Sequence, residues 1–196
     1  MRGINAMKIT HDFPNEINDF SVVVAQYQKP VYNFCYRMLG DAQSAEDAAQ
    51  ETFFRAYKNI NRFDRKRNFA TWLLSIAAHY CIDQQRKKWM PSFDFNEMGE
   101  FMAEDPAPKP ESAVILREQT DQVQRVLAAL NETDRAVLVL KYWYQVSDRE
   151  IGNSLGISVS AVKSRLHRAR KHMANQWLVK NDHLSLDRKG IIFHAV

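Results

Sequence analysis

Hydrophobic residues recur every three or four positions along most of the chain, which is the period of α-helices buried on one face. The N-terminal half has three such stretches, from about Asn15 to Gly40, from Ser44 to Ile60 and from Phe69 to Trp89. Within the first, Pro30 is expected to begin a new helical segment, because proline is harmless in a first turn. No stretch alternates convincingly as a β-strand does, so the pattern predicts an all-α fold.

A helix-turn-helix is indicated near the C-terminus. Ser147 and Glu150 have the spacing of a capping box, Gly156 suits the left-handed position that ends a helix, and Ser158 can cap the next helix. The apolar positions of that second helix are Val162, Leu166, Ala169 and Met173. Its other face is cationic, which favours binding in a DNA major groove. A solvated basic surface is the alternative interpretation.

Residues 91–112 separate two helical parts of the chain. They contain four prolines and six acids against a lone Lys109, a composition typical of extended linkers that do not fold alone. The sequence therefore predicts two small helical domains, at 15–90 and 113–178, joined by a flexible acidic linker that leaves their spacing undefined. The C-terminal domain would contain the helix-turn-helix. The tail at 179–196 matches no interpretable pattern.

Composition limits the possible functions. The net charge is only +4, but the cations are clustered, which favours a nucleic-acid partner. Cys35 and Cys81 lie in apolar helical patterns and are expected to be buried thiols in a reducing compartment. No apolar run reaches the ~18 residues of a membrane span, and the N-terminus lacks a secretion-signal layout. We therefore expect a cytoplasmic protein without membrane insertion.

Candidate chemistry is sparse. His79 and Asp83, four residues apart, could face the same side, but a third metal ligand is not visible, so no metal site is expected. Clustered carboxylates, a glycine-rich phosphate loop and a Ser/His/Asp set are all missing from the sequence. We therefore expect neither catalysis nor a cofactor.

Three motifs, in this order along the chain, resemble a bacterial RNA polymerase sigma factor of the extracytoplasmic function (ECF) group. They are AEDAAQETFFRAY, FATWLLSIAAHYCIDQQRKK, and DREIGNSLGIS followed by SAVKSRLHRAR. The resemblance implies two promoter-binding domains, called region two and region four, and no catalysis. The implied partners are core RNA polymerase, promoter DNA as duplex and as melted single strand, and an anti-sigma factor. Gly152 departs from the alanine more often found there; a mid-helix glycine costs about 1 kcal/mol, which close helix contact would justify.

The resemblance also assigns roles to individual residues. It places polymerase docking on Asp47, Gln50, Glu51 and Phe54. It places capture of an extruded base of the −10 element on the loop residues Arg65, Lys66, Arg67 and Asn68. It places reading and melting of that element on Trp72, His79, Tyr80, Asp83, Arg86 and Lys87. It places contacts to the −35 element on Ser158, Ser160, Lys163, Ser164, Arg165, Arg168 and Lys171.

Several alternatives stay open at the level of sequence. Phe54 could be tucked into the core, Trp72 and Tyr80 could simply fill it, and Asp83 could serve to hold Arg86. The function could also be that of a stand-alone helix-turn-helix repressor or activator, which would bind duplex DNA tightly without polymerase and would not need Asp47.

Overall fold

The fold is built from helices in two described parts of the chain, residues 20–89 and 121–180 of a computed structural model. In the first part the elements are α1 (Phe20–Leu39), α2 (Ala42–Asn59), a 3-10 turn (Ile60–Arg62) and α3 (Phe69–Trp89). In the second they are α4 (121–128), α5 (Glu132–Tyr142), α6 (Asp148–Leu155) and α7 (Val159–Lys180). These two ranges contain no strand, so the all-α prediction is confirmed. The linker at 91–112, the predicted helix start at Ala113 and the tail from 181 lie outside the described residues.

Two predicted helix starts are wrong. Pro30 does not begin a new segment; it lies inside α1, which runs without interruption. An interior proline costs about 3 kcal/mol, but α1 buries Val23, Tyr27 and Val31 against α2 and α3, so tertiary packing outweighs the local cost. The start of α2 lies before Ser44, because Asp41 caps the helix and its Oδ1 accepts a hydrogen bond from the Ser44 amide at 2.7 Å.

Helices α1, α2 and α3 share one core. Tyr27 and Phe69 meet there edge to face, with ring centroids 5.4 Å apart. Cys35 and Cys81 are both buried free thiols, as the sequence predicted. The hydrogen bond with Cys35, together with burial, raises the pKa of Cys81 far above the usual range of a thiol. Cys81 is therefore a packing residue rather than a nucleophile.

The C-terminal helices form the predicted helix-turn-helix. The Ser147 hydroxyl and the Glu150 carboxylate complete the capping box of α6 in both directions, and Gly156 adopts φ 66° where α6 ends. The amide of Ala161 donates to the Ser158 hydroxyl at 3.1 Å and so caps α7. Three of the predicted packing positions of α7 are buried, Val162, Leu166 and Ala169, and Met173 packs against them at the edge of the core.

The two parts of the chain pack against each other, a feature that the linker composition did not predict. Helices α5 and α6 lie against α3, and α5 also contacts α1. We call this contact the joint. Its hydrogen bonds join Gln124 Nε2 to Tyr36 O (2.9 Å), Tyr144 Oη to Pro30 O (2.7 Å), Arg86 Nε to Glu132 Oε1 (3.0 Å) and Arg135 Nη1 to Met38 O.

Aromatic side chains and a buried cation complete the joint. The Tyr144 ring lies edge-on to Phe34 with centroids 5.8 Å apart, and the Arg37 guanidinium lies 5.2 Å from the Trp143 ring centre. Burial lowers the pKa of Arg135, whose guanidinium also donates to two carbonyls at the end of α4. The spacing of the two parts is therefore defined by specific contacts in this structure. No helix in the described ranges is long and apolar enough to cross a membrane.

Candidate nucleic-acid interface

The first predicted surface is one face of α2. Its four predicted residues, Asp47, Gln50, Glu51 and Phe54, follow helical spacing and turn towards solvent. Phe54 is 52% exposed, with the Lys58 Nζ 4.0 Å from its ring centre, so the alternative that Phe54 is tucked into the core is ruled out. An exposed ring flanked by polar groups is typical of the anchors that concentrate binding energy in protein interfaces.

The same face contains an aromatic residue that the sequence did not single out. Tyr57 is 61% exposed, and its ring meets Phe20 of α1 edge-on at 5.3 Å. Nothing in the local pattern distinguishes Tyr57 from a surface residue, because its neighbour Phe20 lies 37 positions earlier in the chain.

The second predicted surface begins at the loop before α3. Arg65, Lys66 and Arg67 are exposed, and the loop is shaped by Asp64, whose carboxylate accepts the Lys66 amide at 3.0 Å. Asn68 is different, because its Oδ1 accepts the Thr71 amide at 3.0 Å and so caps α3. The loop therefore presents three cations at the start of α3, with Asn68 fixing their position.

A cleft of about 380 Å³ opens next to this loop, between α2 and α3, and is lined by Arg55, Asn59, Arg62, Trp72, Ile76 and His79. Of these, Trp72 and His79 were predicted. The Trp72 ring packs on Phe63 (4.9 Å) and Phe69 (5.4 Å) but remains partly exposed, so it both supports the core and lines the cleft. Cations beside an open aromatic face are the components of single-strand binding sites.

The cleft residues from α2 were missed at the level of sequence. Asn59 and Arg55 come to the cleft only through the packing of α2 on α3, which the sequence of α2 does not reveal. Arg55 also places its guanidinium 4.9 Å from the Tyr80 ring centre. Burial, and then the nearby Glu51 carboxylate, raise the pKa of Tyr80, so this phenol stays neutral at ordinary pH and keeps its O–H donor.

The remaining predicted residues of α3 lie further along the same face of the helix. Asp83, Arg86 and Lys87 are exposed. Arg86 is held by Glu132 of α5 at 3.0 Å, so its partner is not Asp83, and that alternative is wrong. His79 Nδ1 lies 2.7 Å from the Ser75 carbonyl. Across residues 20–89 and 121–180, no three His, Cys, Asp or Glu side chains come together as a metal ion would require.

The third predicted surface is α7, which carries no acid from Val159 to Lys180. Its predicted residues fall into two groups. Those on the outer face are exposed, namely Ser158, Ser160, Lys163, Ser164 and Lys171. Arg165 and Arg168 lie on the flank towards α5, where both bind the Asp134 carboxylate, with side chains 28% and 58% exposed. His167 shares the exposed outer face, although the family resemblance assigned it no role.

Comparisons with known proteins agree on the kind of protein that carries these surfaces. The sigma-70 region 2 family matches residues 23–90, and the sigma-70 region 4 family matches residues 120–173. The ECF RNA polymerase sigma factor SigW of Bacillus subtilis is 40% identical over 167 residues, which is 80% of this chain and 88% of SigW. The RNA polymerase sigma-H factor of Pseudomonas aeruginosa is 32% identical over 159 residues, covering 78% of this chain and 82% of that protein.

Solved structures show the same fold. CnrH in complex with the cytosolic domain of CnrY matches with a TM-score of 0.61 at 23% identity, over 87% of this chain and 92% of that one. The sigma factor RpoE in complex with the anti-sigma factor NepR, from Bartonella quintana, matches with a TM-score of 0.59 at 20% identity, over 84% and 98% of the two chains.

Proposed function

The chain belongs to the ECF group of RNA polymerase sigma factors, and from that premise we propose which of its surfaces does which part of promoter recognition. Region two would comprise residues 15–90 and region four residues 113–178, joined by the acidic linker at 91–112. The protein would act in the cytoplasm and catalyse no reaction itself. The observation that carries the proposal is that three separate exposed surfaces, on α2, α3 and α7, coincide with the three family motifs.

The exposed face of α2 docks on core polymerase in this proposal. Phe54 supplies the apolar anchor, and Asp47, Gln50 and Glu51 surround it with polar and negative groups. This arrangement fits a partner surface that pairs an apolar pocket with cations. The similar solved structures, of which one holds the anti-sigma factor NepR and the other the cytosolic domain of CnrY, support an anti-sigma factor as a further partner of this chain.

The cationic surfaces on α3 and α7 bind the promoter. On α3, the loop cations track phosphates of the −10 element while the cleft beside Trp72 and His79 receives an unpaired base. Unstacking a base costs a few kcal/mol, which ring contacts and phosphate contacts offset. On α7, the exposed outer face enters the major groove of the −35 element, where phosphate contacts position the helix and a few side chains read base edges.

The experiment that tests the proposal is run-off transcription on a promoter library with randomised −35 and −10 elements. Core polymerase of Bacillus subtilis, the host of the 40% identical SigW, is used with and without the chain. We expect promoter-specific transcripts only when both are present. Phe54→Ala should weaken binding of the chain to core polymerase about tenfold or more, as loss of an interface anchor does.

The matched control is Tyr142→Ala, which truncates another exposed aromatic residue, located on α5, and should leave polymerase binding unchanged. A chain that binds promoter duplex at nanomolar strength by itself, and that core polymerase ignores, would instead support the stand-alone repressor or activator.

A further inference from the structure

One acid from another helix holds two of the arginines on α7. Asp134, the third residue of α5, has a side chain only 12% exposed. Its Oδ1 accepts a hydrogen bond from Arg165 Nη1 at 2.6 Å. Arg168 lies on the same carboxylate, with its Nε 3.4 Å from Oδ2 and its Nη2 3.4 Å from Oδ1. One flank of α7, the helix proposed to read the −35 element, is therefore bound to a fixed negative charge.

The position of Asp134 keeps that charge in place. It lies in the first turn of α5, where the helix dipole favours a carboxylate, and its neighbours Thr133 and Val137 are buried. The short contact joins two ionised groups, a class of hydrogen bond about twice as strong as a neutral one. The Asp134 carboxylate consequently acts as a rigid support for the guanidinium of Arg165.

Arg165 differs in this respect from the cations of the outer face. Lys163 and Lys171 are exposed, and a lysine ammonium on a flexible stem binds phosphate as a point charge. Arg165 is 28% exposed and has one of its donors fixed on Asp134. A guanidinium has five N–H donors in one plane, so the remaining donors of Arg165 are presented in a fixed orientation at the edge of α7.

We propose that Asp134 is a positioning residue for −35 recognition, which orients the guanidinium of Arg165 for sequence reading and prevents Arg165 and Arg168 from binding phosphates indiscriminately. The proposal rests on the proposed function of α7 as the −35 helix. The carboxylate thereby lowers affinity for arbitrary DNA and raises the preference for the correct sequence. Specificity here comes from making the wrong complex less favourable.

The test replaces Asp134 by its uncharged isostere and measures DNA binding by the complex of the full chain with core polymerase. Duplexes with a consensus −35 element and with a scrambled one are compared at several salt concentrations. For Asp134→Asn we expect the preference for the consensus to fall about tenfold. Binding to the scrambled duplex should strengthen, and the plot of log affinity against log salt should steepen by about 0.9 for each additional phosphate that the released arginines neutralise.

A matched control is available in the same region. Asp148→Asn removes a carboxylate whose ion-pair partner is Lys141 of α5, at 2.7 Å, and not an arginine of α7, and it should change neither the sequence preference nor the salt slope. Arg165→Lys is a second variant, which keeps the charge but lacks the planar fork. It should lose the preference for the consensus about as much as Asp134→Asn does, with the salt slope unchanged.

The double variant Asp134→Asn/Arg165→Lys separates positioning from a general loss of structure. If Asp134 acts through Arg165, the double variant loses little more preference than either single variant, because contacting residues are not additive. The proposal is overturned if Asp134→Asn leaves both the preference and the salt slope at the wild-type values. If Lys163→Ala and Lys171→Ala also leave −35 binding unchanged, it is the assignment of α7 that fails.

Discussion

Gly152 offers a direct test of how tightly the helix-turn-helix is closed. A Cβ at this position would lie 2.7 Å from the Ile157 carbonyl oxygen and 3.7 Å from the Val159 nitrogen. The Ile157 amide in turn donates to the Gly152 carbonyl at 3.0 Å. The backbone of the turn between α6 and α7 thus packs directly against Gly152. This is the kind of close contact that justifies a glycine inside a helix.

Gly152→Ala sets two effects against each other. Alanine favours a helix interior by about 1 kcal/mol over glycine. The new methyl group must displace a backbone carbonyl, however, and forcing an extra methyl group into a packed interior costs about 1–3 kcal/mol. Because the obstacle is backbone and cannot rotate away, we expect a cost in the upper part of that range, about 2–3 kcal/mol, and hence a net loss of about 1–2 kcal/mol. For a chain of this size each kcal/mol lowers Tm by about 2–4 °C.

The measurement is thermal unfolding of the full chain followed by circular dichroism. The control is Asn153→Ala, at an exposed neighbouring position of α6, which improves helix propensity without a clash and should be neutral or slightly stabilising. If the Tm of Gly152→Ala rises as much as that of the control, the turn backbone moves to admit the methyl group at no cost in stability. That result would refute the packing argument.

Two further predictions concern a helix cap and the joint. Ser147→Ala removes the capping box of α6 and should lower the free energy of unfolding in urea by about 1 kcal/mol; an unchanged urea midpoint would contradict the cap. Tyr144→Phe leaves the Pro30 carbonyl without its 2.7 Å partner and should cost about 1–2 kcal/mol at pH 8. Burial raises the pKa of Tyr144 above its ordinary 10.0, so the neutral phenol stabilises the fold fully below pH 10 and less as pH rises beyond it. The difference in urea midpoint between wild type and Tyr144→Phe should therefore shrink between pH 8 and pH 11, and a constant difference would contradict the raised pKa of this phenol in the folded chain.

The features that could be predicted from sequence are those set by neighbouring residues. The capping box at Ser147, the left-handed Gly156 and the buried stripe of α7 all depend on contacts within a few positions, and all three are present. The exposure of Phe54 and of the outer face of α7 follows from the same helical periodicity.

The features that sequence missed depend on distant parts of the chain. Pro30 sits inside α1 because α2 and α3 pack around it, and no local rule conveys that. Arg86 and Arg165 have the same cationic appearance in sequence as the other cations of α3 and α7. They differ in the folded chain because Glu132 and Asp134, in the first turn of α5, bind them.

The joint also sets a limit on promoter binding. Elements centred near −35 and −10 are about 25 base pairs apart, or about 85 Å along B-DNA, whereas a compact body of the size of the described ranges, 20–89 and 121–180, is about 40 Å across. With the joint formed, the surfaces proposed for the two elements could therefore not reach both at once. Residues 90–120 lie between the two described ranges and could span about 100 Å when extended. If α3 and α7 bind the two elements as proposed, engaging both would require the carbonyls of Pro30, Tyr36 and Met38 to exchange their partners for water, and promoter affinity would then depend on contacts inside the protein as well as on contacts with DNA.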